Sequence, residues 1–210
     1  MRCGKTRSMN LLLDVVVPQL ARPHGRLGHL VGSLLDRGNR AINLHVVGAL
    51  DLQPHERVLE VGFGGGGGLA MALAHEPTLQ LSGLDLSPEM VARCRKRFGH
   101  KLQLVQGSVE VQPFADAAFD KLFGANISYF WPDFGRAAGE LHRVLVPGGL
   151  LVLGIRPPET LRKFKFDVAG HRVWSPEQYV QEFTAAGFVQ VKARRVPDPD
   201  GAYVLTACKG

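Results

Sequence analysis

Cysteine is scarce in this chain of 210 residues: Cys3, Cys94 and Cys208 lie far apart and form no C-x-x-C pair. That spacing argues against a disulfide framework and a structural zinc site, and it fits a reducing, cytoplasmic setting. The sequence has no cluster of metal-ligand spacing and no serine-nucleophile elbow, so no metal is expected. Long apolar runs are also missing, none approaching the roughly 18 to 20 residues of a membrane span. The stretch from Leu11 to Val17 follows Arg2, Lys5 and Arg7. Asp14 interrupts it and no small-x-small site comes after, which argues against an export signal. Basic residues outnumber acidic ones, giving a net charge of +6 and a pI near 9.5, yet they do not run together. Arg93, Arg95, Lys96 and Arg97 form one group and Arg162, Lys163 and Lys165 another. They read as a solvated helix face and a basic loop, so neither nucleic acid nor membrane is an expected partner. At this length one α/β domain can build a substantial core, whereas a nucleotide domain plus a full second domain cannot fit.

Glycine is what the chain has in abundance. Val58-Leu59-Glu60-Val61 reads as an apolar strand that runs into Gly62-Phe63-Gly64-Gly65-Gly66-Gly67-Gly68, and Asp85 closes the next apolar run. A βαβ nucleotide-binding unit has this order, its second strand delivering a carboxylate to ribose hydroxyls about 20 residues after the loop. Glycines suit such a loop because a β-carbon would hold the main chain away from a ligand and bar positive φ values. The spacing is ambiguous. Gly62, Gly64 and Gly67 satisfy the dinucleotide pattern G-x-G-x-x-G, while Glu60, Gly62, Gly64 and Gly66 satisfy the acidic-x-G-x-G-x-G pattern of methyltransferases. Charge favours the second. An acidic Glu60 at the mouth of the loop would repel a pyrophosphate and would suit an ammonium or sulfonium group.

From Arg57 onward strands expected at 57–61, 80–84, 102–105, 119–124 and 149–155 alternate with helices expected at 69–75, 88–98 and 134–145. That alternation predicts a parallel sheet covered on both faces. Ser87-Pro88-Glu89 starts its helix with a capping serine and a proline in the first turn, which places Asp85 at the carboxyl edge of the sheet. Before this core, residues 1–55 carry Leu/Val-rich patches broken by proline and glycine. They predict short helices, one over Ala41 to Leu50 that stops before Pro54. After Arg156-Pro157-Pro158 comes a basic segment at 159–172, then a helix opened by Ser175-Pro176-Glu177 and ending at Gly187. The last strands, near 188–195 and 202–208, flank Pro197-Asp198-Pro199-Asp200-Gly201, and such a turn predicts a hairpin with one antiparallel strand at the end of the sheet.

Together the stretches VLEVGFGGG, LSGLDLSPEMV (81–91), LVQGSVEVQPFADAAFDKLFGANISYFW (104–131) and LHRVLVPGGLLVLGIR (141–156) resemble the class I S-adenosylmethionine-dependent methyltransferases, in their small-molecule, type 11-like branch. The resemblance covers roughly residues 55 to 155. It implies a doubly wound, Rossmann-like, mainly parallel sheet of seven strands with a C-terminal antiparallel hairpin. It also implies an N-terminal helical cap (1–55) on a cofactor-binding core (56–210). The implied cofactor is S-adenosyl-L-methionine, leaving S-adenosyl-L-homocysteine as product. Its contacts would come from Glu60, Gly62, Phe63, Gly64, Gly66, Asp85, Leu86, Ser108, Val109 and Asn126. Ser108 departs from the family, in which many members carry an acidic residue. By the same resemblance the cap and the aromatic cluster after Asn126 border a substrate pocket, with Asn39, Asn43, Tyr129 and Trp131 as candidates. Phe130 reads as plain core. Methyl transfer needs little beyond alignment in a desolvated site. If the acceptor is a phenol or hydroxyl, His24, His29 or His171 would serve as base. An RNA or protein methyltransferase, a nicotinamide-dependent oxidoreductase and a non-catalytic cofactor-binding protein are the alternatives. The missing N-P-P-[YF]-type motif at Asn126-Ile127-Ser128-Tyr129 favours small molecules. The acceptor and the oligomeric state are not readable.

Overall fold

Apolar residues on both faces of consecutive short segments force a sheet between two helical layers. Strand β1 (Arg57–Val61) shows how: Val58 packs into one layer and Leu59 into the other, because successive side chains on a strand point to opposite faces. The computed structural model describes residues 38–210. The expected patches between Leu11 and Leu35 and the candidate bases His24 and His29 lie outside the described residues.

Helix α1 (Arg40–Ala49) precedes β1, and α2 (Gly67–His75), β2 (Gln80–Asp85), α3 (Pro88–Phe98) and β3 (Gln103–Gln106) follow it. After β3 come β4 (Phe119–Ala125), α4 (Phe134–Val144) and β5 (Leu145–Ile155). The chain closes with α5 (Pro158–Lys163), α6 (Pro176–Ala185), β6 (Phe188–Val196) and β7 (Ala202–Lys209). The sheet has seven strands in the order β3-β2-β1-β4-β5-β7-β6. The pairs among β1 to β5 are parallel, and β7 runs antiparallel to both neighbours. β1 and β4 are adjacent, and the chain winds outward from them in opposite directions. This is the topological switch point at whose carboxyl side ligands bind.

The hairpin lies at the end of the sheet as expected, and the structure fixes which of its strands is antiparallel to the rest. β7 is second from the edge, with β6 outside. Val204, Leu205 and Ala207 of β7 are buried, so that strand needs cover on both sides. Lys192, Arg194 and Arg195 of β6 are exposed, and charged side chains on an edge strand discourage pairing with another chain. β5 also starts earlier than expected. Leu145 pairs with Phe119, and Val146 to Gly149 form an irregularity before Lys121 pairs with Leu150.

One face of the sheet is covered by α1, α2 and α3, which place Ile42, Val46, Leu69 and Met90 against Val58, Phe123 and Val152. On the other face α4 and α6 bring Phe134, Leu141 and Phe183 against Leu59, Leu122 and Leu153. α1 is thus a layer helix packed on the sheet rather than a lid, although its N-terminal end reaches the carboxyl edge. Its close approach depends on Gly154 of β5. A Cβ there would lie 2.7 Å from Ile42 Cγ1 and 2.9 Å from Val46 Cγ2. Gly154→Ala is expected to lower stability by about 1 to 3 kcal/mol through overpacking, read as a lower urea midpoint with an unchanged slope. An unshifted midpoint would mean that α1 is not seated on β5.

Candidate functional site

At the carboxyl edge the chain leaves β1 through Gly62, whose φ is +67°, and Gly62 N–H donates to Leu84 O of β2 at 2.7 Å. Gly64 follows at φ +51°, and a Cβ on it would meet no protein atom within 4 Å. Its N–H donates to Asp85 Oδ2 at 2.8 Å, while Asp85 Oδ1 accepts from Ser87 N–H at 2.8 Å. Asp85 therefore ties the glycine loop to the start of α3, where Ser87 caps the helix by accepting from Met90 N–H at 3.3 Å. Burial pushes the Asp85 carboxyl above its ordinary range, and the two backbone N–H donors oppose that rise.

Glu60, near the end of β1, is buried, and a Cβ on Gly68 would collide with its carboxylate. The first turn of α2 thus rides on an acid, a placement that its helix dipole favours. Phe63 is buried with its ring against Gly83, so what it presents to the cleft is mainly backbone. Leu86 is 48% exposed beside Asp85. Ser108 and Val109 follow β3, whose end is secured by Gly107 N–H donating to Asp85 O at 3.0 Å. The Ser108 hydroxyl accepts from Glu110 N–H at 3.2 Å.

β4 is followed by Asn126, a non-glycine residue at φ +58° whose N–H donates to Gly154 O at 2.9 Å. Tyr129 O–H donates to Asn126 Oδ1 at 2.6 Å, and Asn126 Nδ2 donates to Asn39 Oδ1 at 2.7 Å. This relay links the start of α1 to the end of β4. Burial holds the Tyr129 phenol well above its ordinary 10, so it remains a donor. Trp131 is buried, and its carbonyl accepts from Arg172 at 2.8 Å.

These residues border one cleft of about 430 Å³. Glu60, the glycine loop, Asp85, Leu86, Ser108 and Val109 line one end. Asn39, Asn43, Asn126, Tyr129 and Trp131 continue the wall, joined by Phe130. His171 does not line it. Its ring meets Phe130 edge-on at 4.9 Å and packs on Phe166 from outside the cleft. The same cleft is also walled by Arg156, Thr160, Leu161, Phe164, Phe166 and Asp200, which sequence reasoning missed. Arg156 directly follows the apolar strand β5 at the ligand-binding edge, a signal that was available in the sequence. The others have no local signature. Among the described residues no helix is long and apolar enough to cross a membrane, and no group of three or more metal-ligating side chains occurs.

Residues 59–153 match the family described as Methyltransferase domain. The chain is 28% identical over 164 residues to an uncharacterized methyltransferase, YdaC, of Bacillus subtilis (strain 168), covering 77% of this chain and 87% of the relative. It is 35% identical over 144 residues to the phthiotriol/phenolphthiotriol dimycocerosates methyltransferase of Mycobacterium leprae (strain TN), covering 66% of this chain and about half, 53%, of that protein. Among solved structures, a methyltransferase in complex with the Trm112 methyltransferase activator of Haloferax volcanii superposes with a TM-score of 0.76 at 19% identity. It covers 84% of this chain and 92% of that one, a likeness of fold.

Burial lowers the pKa of His171 below the ordinary 6.5. The unfolded chain then binds more protons than the folded one between 6.5 and that lowered value. The stability contributed is complete above 6.5 and is lost as pH falls from there to the folded value. A proton NMR titration should place the His171 midpoint below 6.5. His171→Phe should weaken, without abolishing, the fall in urea midpoint between about pH 7 and 5, because burial lowers His142 as well. A midpoint above 6.5 would contradict the half-buried, uncharged imidazole.

Proposed function

We propose, for a chain that belongs to the class I S-adenosylmethionine-dependent methyltransferases, that it methylates a small, largely apolar acceptor held at the aromatic end of the cleft. One observation carries this reading: a loop of left-handed glycines flanked by the carboxylates of Glu60 and Asp85 opens onto a pocket walled by aromatic rings. The residues present fit the cofactor. The space beside Gly64 admits a ligand against the backbone, and the carboxylates suit a cationic donor better than a pyrophosphate. That electrostatic preference counts against a nicotinamide dinucleotide.

When bound, S-adenosylmethionine supplies a methyl group already activated by its sulfonium charge. Asp85, whose oxygens each accept one backbone N–H, has lone pairs left for the ribose hydroxyls, and exposed Leu86 offers an apolar surface to the adenine. Ser108 and Val109 would border the adenine, the backbone of Gly62 to Gly66 would contact the methionine portion, and Asn126 would contact the cofactor near the transferred methyl. Tyr129, Phe130 and Trp131 exclude water, and their ring faces attract a sulfonium by about 0.5 to 2 kcal/mol. No histidine among the described residues lines the cleft. His24 and His29, the other candidate bases read from the sequence, lie outside the described residues. The small-molecule reading is supported by the aromatic wall and by the Mycobacterium leprae relative, whose name gives phthiotriol and phenolphthiotriol dimycocerosates.

Calorimetry tests the cofactor. S-adenosylhomocysteine should bind in the micromolar range, about −8 kcal/mol at 1 μM, and NADH should not bind. Asp85→Ala should weaken that binding by about 1.5 to 3 kcal/mol because both ribose hydroxyls lose their charged acceptor. Tight NADH binding without a response to S-adenosylhomocysteine would overturn the reading, and unaltered affinity in Asp85→Ala would move the ribose site elsewhere.

A further inference from the structure

At the aromatic end of the cleft most polar atoms are already engaged. Tyr129 uses its O–H on Asn126, and Thr160 donates its hydroxyl to Asp200 O. Arg156 is different. Its Nη1 donates to the Asp198 carboxylate and to Gly201 O, and among the described residues no acceptor meets Nε or Nη2. A guanidinium cannot shed those protons, so they call for oxygen partners. The Arg156 side chain is only 9% exposed, yet the residue lines the cleft, and its charge reaches the Tyr129 phenol. Leu161, Phe164 and Phe166 line the same cleft with apolar side chains.

The partner of Arg156 decides what kind of oxygen fits. Asp198 is 1% exposed and cancels the guanidinium charge, so the wall offers hydrogen-bond donors without a net positive charge. Asp200 also borders the cleft, and its backbone carbonyl is already taken by the Thr160 hydroxyl. We infer that Arg156 is the acceptor-anchoring residue, and that the acceptor is an apolar body carrying a neutral oxygen, a hydroxyl or carbonyl, which accepts from Nε and Nη2. This rests on the cleft being a methyl-acceptor site. The Asp198 pair holds the guanidinium against the turn between β6 and β7 and leaves its free donors for the ligand.

The test uses the full chain saturated with S-adenosylhomocysteine and three probes sharing one body: 1-naphthol, naphthalene and 1-naphthoate. Ligand-observed NMR titration should show naphthol binding at least about tenfold tighter than naphthalene, a difference of about 1.4 kcal/mol, and no tighter binding of naphthoate. Arg156→Met should erase the preference for naphthol over naphthalene, and Arg156→Lys should retain part of it. Asp198→Asn, which leaves the guanidinium charge uncancelled, should shift the preference toward naphthoate. If Arg156→Met merely lowers the melting temperature while the ratio of naphthol to naphthalene stays the same, Arg156 only pins the turn and the inference fails. It fails equally if naphthol does not bind, or if naphthoate is preferred by the unaltered chain. Calorimetry with S-adenosylhomocysteine on the same samples separates these outcomes. Normal cofactor binding in a chain that fails the probe test rejects this inference alone, and absent cofactor binding rejects the methyltransferase reading beneath it.

Discussion

A half-buried carboxylate accepting the N–H of a glycine is the interaction around which the cofactor end is organised. Asp85 closes β2 and reaches across to Gly64, while its other oxygen takes the N–H of Ser87 at the start of α3. Ionised acceptors make shorter and stronger bonds to backbone N–H groups than neutral ones do. The loop after β1 is thereby held to the neighbouring strand, and its buried Phe63 ring packs against Gly83. Burial raises the cost of that charge, and the two N–H donors offset part of it. Glu60 secures the other side of the loop, where the first turn of α2 approaches so closely that only glycine fits at position 68.

The two ends of the cleft are joined by a polar relay in an apolar surround. Tyr129 and Asn126 belong to the turn after β4 and Asn39 to the start of α1, and their bonds run in one series. A buried polar group left unpaired is costly, so the relay fixes where each element stops. It also couples the packing of α1 on Gly154 to the shape of the cleft. A change that lifts α1 from β5 would move Asn39 away from Asn126.

Beyond β5 the cleft is walled by segments that have no part in the glycine loop. Arg156 and Thr160 hold the turn between β6 and β7 through Asp198 and Asp200. Taking an arginine and an aspartate out of water is expensive, and such a pair is weak evidence for stability. Its position in the wall gives it another use, as a fixed, charge-balanced source of hydrogen-bond donors. The antiparallel insertion of β7 between β5 and β6 brings this turn to the cleft.

Much of this was legible from local pattern. The alternation of strand and helix, the glycine loop, Asp85 and the serine that caps α3 all rest on neighbours in sequence, through side-chain periodicity and cap chemistry. The contents of the far wall were not. Asn126 meets Asn39 across 87 residues, and Arg156 meets Asp198 across 42. Which ring faces the cleft and which turns away, as His171 does, depends on packing against elements remote in the chain. The same holds for β7: the turn residues predict a hairpin, but burial on both faces of Val204 and Leu205 decides that it enters the sheet one place from the edge. Periodicity and turn chemistry act over a few residues and are written locally. The acceptor end of the cleft is assembled from side chains that only long-range burial brings together.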